Sequence, residues 1–471
     1  MPNSAIETVC RADDVRRVAE LVKSAGGRAL LVGGCVRDAL RGETPQDFDF
    51  EVYGLPQERL LAALSSRYAL DLVGASFGVI KLQGVPIDVA LPRRETKLGL
   101  GHKAFATDFD PNLPLADAAA RRDFTVNAIY LDPLTGACLD PWKGRDDLAA
   151  GLLRPVSPHF AEDPLRVLRA MQFLARFDLE PTDELIGVCR GMTPEGLPPE
   201  RLFGEWEKLL VKGTAPSKGL QFLRQTGWVD YYPELKALIG CRQDPEWHPE
   251  GDVWAHTLGC LDAFAASRDG RDTMYDFIGV RAGWTPRENL IVGLAVLCHD
   301  FGKPATTFYD PQRKRIRSIG HDEEGVAPAR RFLSRLTADH ELLRAVPPLV
   351  RLHMRPIALW KSAAGDAAIR RLSVAAGRLD RLLRVAAADD AGRGTAPRTP
   401  EALQWLTAQA ERLRVKESAP KPLVMGRHLI ALGFKPGPRF SEMLAAAFNA
   451  QIEGKFATVA DGLAFISAHF A

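Results

Sequence analysis

The spacing of apolar and polar residues changes character about a third of the way along the chain. The first part mixes periods. An amphipathic stretch over 12–27 runs into Gly26-Gly27 and is followed by Ala29-Leu30-Leu31-Val32, a short apolar run whose length and flanks read as a buried strand. Gly33-Gly34 then turns the chain into a helix from Val36 to Leu40, and DFDFEVYG (47–54) and VPIDVALP (85–92) read as a second and a third strand. Strand, glycine turn, helix and further strands within one short span predict an α/β or α+β head. From about residue 145 the strand signals stop. Asp163 to Phe177 carries apolar residues at Leu165, Leu168, Phe173 and Phe177 with arginines on other faces, which predicts an amphipathic helix. Nearly everything after it is helical pattern rich in Ala, Leu and Arg, broken at 191–199, 242–252 and 393–400 by Pro- and Gly-rich stretches.

Composition narrows the class without naming it. A chain of 471 residues is too long for one core, so several domains are expected. The 61 Lys and Arg against 59 Asp and Glu leave a net charge of +2, so any nucleic-acid surface must arise from local clustering. No basic segment followed by an apolar one opens the sequence, and no window of about 18 apolar residues occurs. Seven scattered cysteines without a CxxC pair suit free thiols in a reducing cytoplasm. A cytoplasmic protein with no membrane association is the expectation.

The chemistry concentrates in LLVGGCVRDALRGETPQDFDFEVYG. Gly33 and Gly34 at the strand-to-helix turn let backbone N–H groups approach a triphosphate, and Arg37 can add a charged contact to it. Asp47 and Asp49 alternate on one strand and project to the same face, with Asp88 on the next strand as a third carboxylate. Hard oxygen ligands beside a phosphate cradle favour magnesium, and two such ions could serve an attacking hydroxyl and a leaving pyrophosphate.

GGCVRD followed by DFD resembles the signature of the DNA polymerase beta superfamily, in the branch holding bacterial CCA-adding enzymes and poly(A) polymerases. ARRDFTVNAIY (120–130) matches that branch's RRDFTxNA motif. There Arg121 and Arg122 supply charge for phosphate, and Asp123 and Asn127 could bond a ribose. EDPLRVLRA (162–170) matches its EDxxRxxR helix, where Asp163, Arg166 and Arg169 lie close to one face. A carboxylate and a guanidinium so placed can select CTP and ATP over UTP and GTP. Gln172 stands where many members carry a third arginine, so no triphosphate role passes to it. Residues 92–120 read as a mobile loop, similar to the one that full CCA-adding enzymes use when switching from C to A.

In the body, His256, the dyad His299-Asp300, His321 and Asp390 offer imidazoles and carboxylates for a divalent ion that activates water for phosphoester hydrolysis. Their spacing resembles the HD phosphohydrolase superfamily, which implies phosphatase and 2′,3′-cyclic phosphodiesterase activities with nickel, manganese or magnesium held by His256, His299, Asp300 and Asp390. RKRIR (313–317) and Arg370, Arg371, Arg378, Arg381 and Arg384 could follow tRNA phosphates or be solvated faces. PLVMGRHLIALGFKPGPRFSEML (422–444) is similar to a segment in the tails of many family members and carries no assigned chemistry.

The resemblance implies an α+β fold: a polymerase-beta-like head with a mixed sheet (1–150), a helical neck carrying the nucleotide-selecting helix (151–240), an HD domain (241–400) and a helical tail (401–471). It implies addition of CCA to the tRNA 3′ end without a nucleic-acid template. The partners are CTP, ATP and the 3′ end and acceptor stem of tRNA, and the chain is a monomer or homodimer. Poly(A) polymerase and CC-adding enzyme are the close alternatives; an inactive RNA-binding or HD-hydrolase protein is the distant one.

Overall fold

The computed structural model describes residues 4–72, 78–97, 105–279, 284–394 and 398–470. The chain divides into two compact units, Met1–Glu205 with Gln221–Trp228, and Trp206–Leu220 with Val229–Ala471.

The first unit is built on a mixed seven-stranded sheet. Its strands are β1 (Arg28–Val32), β2 (Phe48–Tyr53), β3 (Leu70–Asp71), β4 (Val79–Leu82) and β5 (Ile87–Ala90), with β8 (Tyr130–Leu131) and β9 (Cys138–Leu139) added after a separate ribbon of β6 (Arg93–Lys97) and β7 (Phe105–Phe109). The order is β3-β4-β5-β2-β1-β8-β9, and β2 and β5 are its parallel pair. The apolar run of β1 is explained by burial on both faces. Leu31 joins a core with Val18, Val22, Phe50 and Val52, whereas Leu30 and Val32 join a second core with Tyr130 and Val156 on the other side. The two-residue period of β2 then sends Phe50 and Val52 into the first core and leaves Asp49 and Glu51 on the opposite face.

The ribbon corrects the reading of 92–120 as a loop. Arg93 pairs with Phe109 through to Lys97 with Phe105, and Leu115–Ala120 is a helix; the tip, 98–104, lies outside the described residues. Strands also recur beyond residue 145: Leu152–Leu153 pairs with Glu180–Pro181, and Thr307–Asp310 forms a hairpin with Arg315–Ser318. The amphipathic helix runs from Leu165 to Phe177, two residues later than the apolar pattern places its start.

Among the described residues, the regular structure of the second unit is helical apart from that hairpin. Val253–Arg268 and Pro286–Cys298 are apolar on nearly all sides and sit centrally, packed against His340–Leu352 and Leu379–Ala391. Val424, Leu429, Met443 and Ile466 close a small core of their own near the C-terminus. No helix among the described residues is long and apolar enough to cross a membrane.

Candidate functional site

In the first unit the carboxylates meet across the parallel strand pair. Asp49 on β2 stands in register with Asp88 on β5, and Asp88 in turn with Lys81 on β4, whose Nζ lies 3.2 Å from its carboxylate. Asp47 immediately precedes β2 and is exposed. Surrounding protein desolvates the Asp49 carboxyl, and Asp88 and Asp47 repel its charge, so its pKa rises although Arg122 works the other way. This crowding of negative charge has the chemistry of a hard-cation site.

Gly33 lies against this group. It adopts φ +85°, a conformation that favours glycine, and a Cβ there would stand 3.5 Å from Arg122 Nη1 and 3.7 Å from Asp49 Oδ2. Gly33, Gly34, Asp49 and Arg122 therefore share one corner of the sheet. Arg122 is held there by a residue that the sequence reading passed over. Glu51 is fully buried and accepts from Arg122 Nη2 at 2.9 Å, Arg121 Nη2 at 3.3 Å and the Tyr53 hydroxyl at 2.7 Å. Burial opposes its ionisation, but the two guanidinium groups prevail and hold its pKa below the usual value. The alternation Asp47, Asp49, Glu51 along one strand was the available signal.

Other predicted residues are joined to each other rather than presented to a ligand. Arg37 is buried; it donates to Asn127 Oδ1 at 2.7 Å, pairs with Asp38 at 2.7 Å and lies over the Phe177 ring at 4.1 Å. A contact from Arg37 to a triphosphate would have to compete with these partners. Asp123 accepts from Arg169 Nε at 2.8 Å and from Asn127 Nδ2 at 2.9 Å. Arg166 donates to the carbonyls of Arg121 and His159 at 2.6 and 2.7 Å, and Asp163 accepts from Arg201 at 3.0 Å. The RRDF segment and the helix Leu165–Phe177 are thus tied together by Arg166 and Arg169. Gln172 is buried and accepts from Arg176 at 3.0 Å.

The second unit holds a denser cluster. His299, His321 and His353 place Nδ1 2.7–2.8 Å from the carbonyls of Val296, Ser318 and Val350, and His256 places Nδ1 2.8 Å from Glu250. Such anchors fix the tautomer and turn Nε2 inward, as they do for metal-binding imidazoles. The inward atoms converge. His256 Nε2 is 3.1 Å from Asp389 and 3.8 Å from Asp300, His299 Nε2 is 3.3 Å from Asp300, and His321 Nε2 is 3.5 Å from Asp300 and 3.2 Å from His353 Nε2. Burial, together with the neighbouring His299 and His321, pushes His353 down to about 4 and keeps it neutral. His299 Nε2 and both Asp300 oxygens are buried without a well-aligned hydrogen bond, although Asp300 is ion-paired to Lys303 at 2.7 Å and lies 3.3 Å from His299 Nε2. Convergent lone pairs and buried acceptors that lack well-aligned donors fit a divalent ion. The cluster opens on a cavity of about 450 Å³ whose walls include Lys303, Arg315, Lys361 and Arg393.

One expected member is displaced by its neighbour. Asp390 accepts from the Tyr275 hydroxyl at 2.8 Å and the Thr399 backbone at 2.7 Å, facing away from the histidines, whereas Asp389 faces them. Successive helical residues point about 100° apart, so only one of the pair can join the cluster. His353, Cys260 and Lys303 also went unread, the last although it follows the dyad within HDFGK.

A model of the poly A polymerase head domain matches residues 29–154, the span that carries β1, the carboxylates and the RRDF segment. Over the whole fold the chain superposes on the Bacillus stearothermophilus CCA-adding enzyme in complex with CTP with a TM-score of 0.64 at 22% identity, covering 96% of this chain and 95% of that one. For the Thermotoga maritima CCA-adding enzyme complexed with tRNA the TM-score is 0.60 at 17% identity, covering 100% and 99%. In sequence it is 33% identical over 427 residues to the multifunctional CCA protein of Nitrosococcus oceani, covering 88% of this chain and 95% of that protein. It is 34% identical over 435 residues to that of Xanthomonas oryzae pv. oryzae, covering 90% and 97%. With both units inside these alignments, the chain belongs to the family of multifunctional CCA proteins.

Proposed function

We propose that this protein restores the 3′-terminal CCA of immature or damaged tRNA, adding C, C and A from CTP and ATP without a nucleic-acid template. The observation that carries the reading is the corner where Asp49, in register with Asp88, meets the bare turn at Gly33 and the guanidinium of Arg122. Asp47, Asp49 and Asp88 would hold magnesium, which supplies charge neutralisation for the attacking 3′-hydroxyl and the departing pyrophosphate. Gly33 and Gly34 admit the triphosphate to the backbone, and Arg122, oriented by Glu51, offers it positive charge. Asp163 and Arg166 choose the base, the carboxylate accepting from an exocyclic amine and the guanidinium donating to ring acceptors. An incoming nucleotide would compete with their present contacts to Arg201 and to two backbone carbonyls. Catalysis is otherwise positioning of the acceptor end in line with the α-phosphate. In this reading 1–150 is the catalytic head, 151–240 the neck, 241–400 the HD domain and 401–471 the tail. Seven free cysteines suit the reducing cytoplasm.

Sequencing the products made on tRNA lacking its CCA end, with CTP and ATP both present, tests the assignment. The expected product ends in CCA. Termination at CC or an oligo(A) tail would replace the assignment, and no extension at all would refute it. Asp49→Ala is expected to reduce incorporation by at least about a thousandfold with the fold retained by circular dichroism.

The cavity in the second unit supports a second activity, hydrolysis of phosphomonoesters and 2′,3′-cyclic phosphodiesters. His256, His299, Asp300 and Asp389 would hold the ion, which supplies an activated water. Lys303 and Arg393 put positive charge on the cavity wall, where a phosphate can be held. Asp300→Asn is expected to abolish hydrolysis and leave CCA addition intact. Hydrolysis that survives both this change and a chelator would remove the metal from the account.

A further inference from the structure

Cys260 lies one helical turn beyond His256 and faces the same cluster. Its Sγ is 3.4 Å from His256 Nε2, and His256, Cys260, His299 and Asp389 each bring one donor atom within 4.8 Å of the others, all four residues being buried. The set is completed by His299 Nε2, which is enclosed 3.3 Å from Asp300 and makes no well-aligned hydrogen bond. Two imidazole nitrogens, carboxylate oxygen and one sulfur are the donor types that zinc and similar ions bind. Sulfur has little affinity for magnesium or manganese.

Close packing supplies a competing account of the residue. A Cβ on Gly392 would stand 2.4 Å from the Sγ, and one on Gly259 would meet the Gly392 carbonyl at 2.8 Å, so the helices Val253–Arg268 and Leu379–Ala391 demand small residues at this crossing. Size alone would be met equally by Ser or Ala, and it does not bring the sulfur to the imidazole.

We infer that Cys260 is a thiolate ligand, beside Asp300, of the ion held by His256, His299 and Asp389, so that this site takes a sulfur-tolerant divalent ion of the zinc, nickel and cobalt class. The inference rests on the reading of the second unit as a metal-dependent hydrolase. A coordinating thiol gives up its proton on binding, and the proton leaves to solvent.

Titrating the full-length, metal-free protein with cobalt(II) tests it, read by absorbance in the near ultraviolet where sulfur-to-cobalt charge transfer appears. Cobalt at the carboxylates of the first unit has oxygen ligands and adds no such band. The expected result is a saturable band that is lost in Cys260→Ser and Cys260→Ala. Zinc affinity in both variants should fall by at least about tenfold while thermal unfolding of the metal-free chains is unchanged. Cobalt bound without the band, or a band that persists in Cys260→Ala, would overturn the inference. If the band is absent while hydrolysis is abolished by chelator, the thiolate alone is wrong. If hydrolysis also survives the chelator, the metal-dependent reading falls with it.

Discussion

Asp123 sits at the centre of a buried exchange of charge, and its environment makes a measurable demand on pH. Arg169 donates to one carboxylate oxygen, while Asn127 and the Phe124 backbone donate to the other at 2.9 and 2.8 Å. Burial resists its ionisation, yet these partners hold its pKa down at about 2. In the unfolded chain the same carboxyl titrates near ~3.9. The folded value is the lower, so the ionised group stabilises the fold fully above about pH 4, and that contribution is lost as pH falls toward 2. Two pH units correspond to roughly 2–3 kcal/mol. Asp123→Asn is therefore expected to lose protection of the helix Leu165–Phe177 at neutral pH, read by amide hydrogen exchange, and to flatten the acid limb between pH 4 and 2. An unaltered acid limb would show that the carboxylate contributes little. The residue types here were legible in RRDFT and EDPLR, but their partners were not. Arg169 lies 46 positions from Asp123, and only the fold shows that it bonds Asp123 itself. Asp389 and Asp390 illustrate the same gap at closer range, since identical neighbours on a helix differ only in direction.

Among the elements, the short turn after the dyad shows how backbone contact sets the position of an imidazole in the cluster. A Cβ on Gly302 would lie 2.0 Å from the carbonyl of His321 and 2.6 Å from the amide of Gly325, so the chain after Asp300 touches the backbone that carries His321. Any side chain at 302 must push that backbone away and take the imidazole with it. Gly302→Ala is expected to destabilise the second unit by about 1–3 kcal/mol and to lower hydrolysis at least tenfold, with CCA addition unaffected. Wild-type hydrolysis in this variant would mean that His321 is dispensable. Elements long enough to repeat a period were readable: β1, β2, the helix Leu165–Phe177 and the central apolar helices of the second unit. Short strands were not, because Leu70–Asp71, Tyr130–Leu131 and Cys138–Leu139 span two residues each, too few to show alternation. They exist because neighbouring strands of the sheet pair with them. The ribbon of β6 and β7 was hidden for a different reason: its charged and glycine-rich sequence carries the composition of a loop.

For the molecule as a whole, a net charge of +2 leaves tRNA affinity to whichever basic side chains are not already matched internally. Several arginines expected to follow the RNA are so matched. Arg381 donates to Glu288 at 2.6 and 2.7 Å, Arg378 reaches the same carboxylate at 3.2 Å, and Arg371 reaches Glu453 at 3.0 Å. Arg384 is buried over the Trp284 ring at 3.7 Å, and burial pulls its pKa down to about 9. A guanidinium paired with a carboxylate or buried under a ring is poorly placed to displace counterions from a phosphate. Each phosphate contact contributes a slope of about −0.7 to −0.9 to the dependence of log affinity on log salt. Arg381→Ala is accordingly expected to leave the tRNA salt slope unchanged within about 0.3. It should cost about 1–3 kcal/mol of stability, because Glu288 loses its two shortest charged contacts and keeps Arg378 at 3.2 Å. Arg313, exposed at the turn of the Thr307–Asp310 and Arg315–Ser318 hairpin, is the contrasting position. If its replacement by Ala lowers the slope by about one unit while Arg381→Ala does not, the RNA-facing charge lies on the hairpin and the helical arginines serve the fold. A fall of one unit in Arg381→Ala would show instead that the ion pair with Glu288 opens on binding and that the helix Leu379–Ala391 meets the RNA.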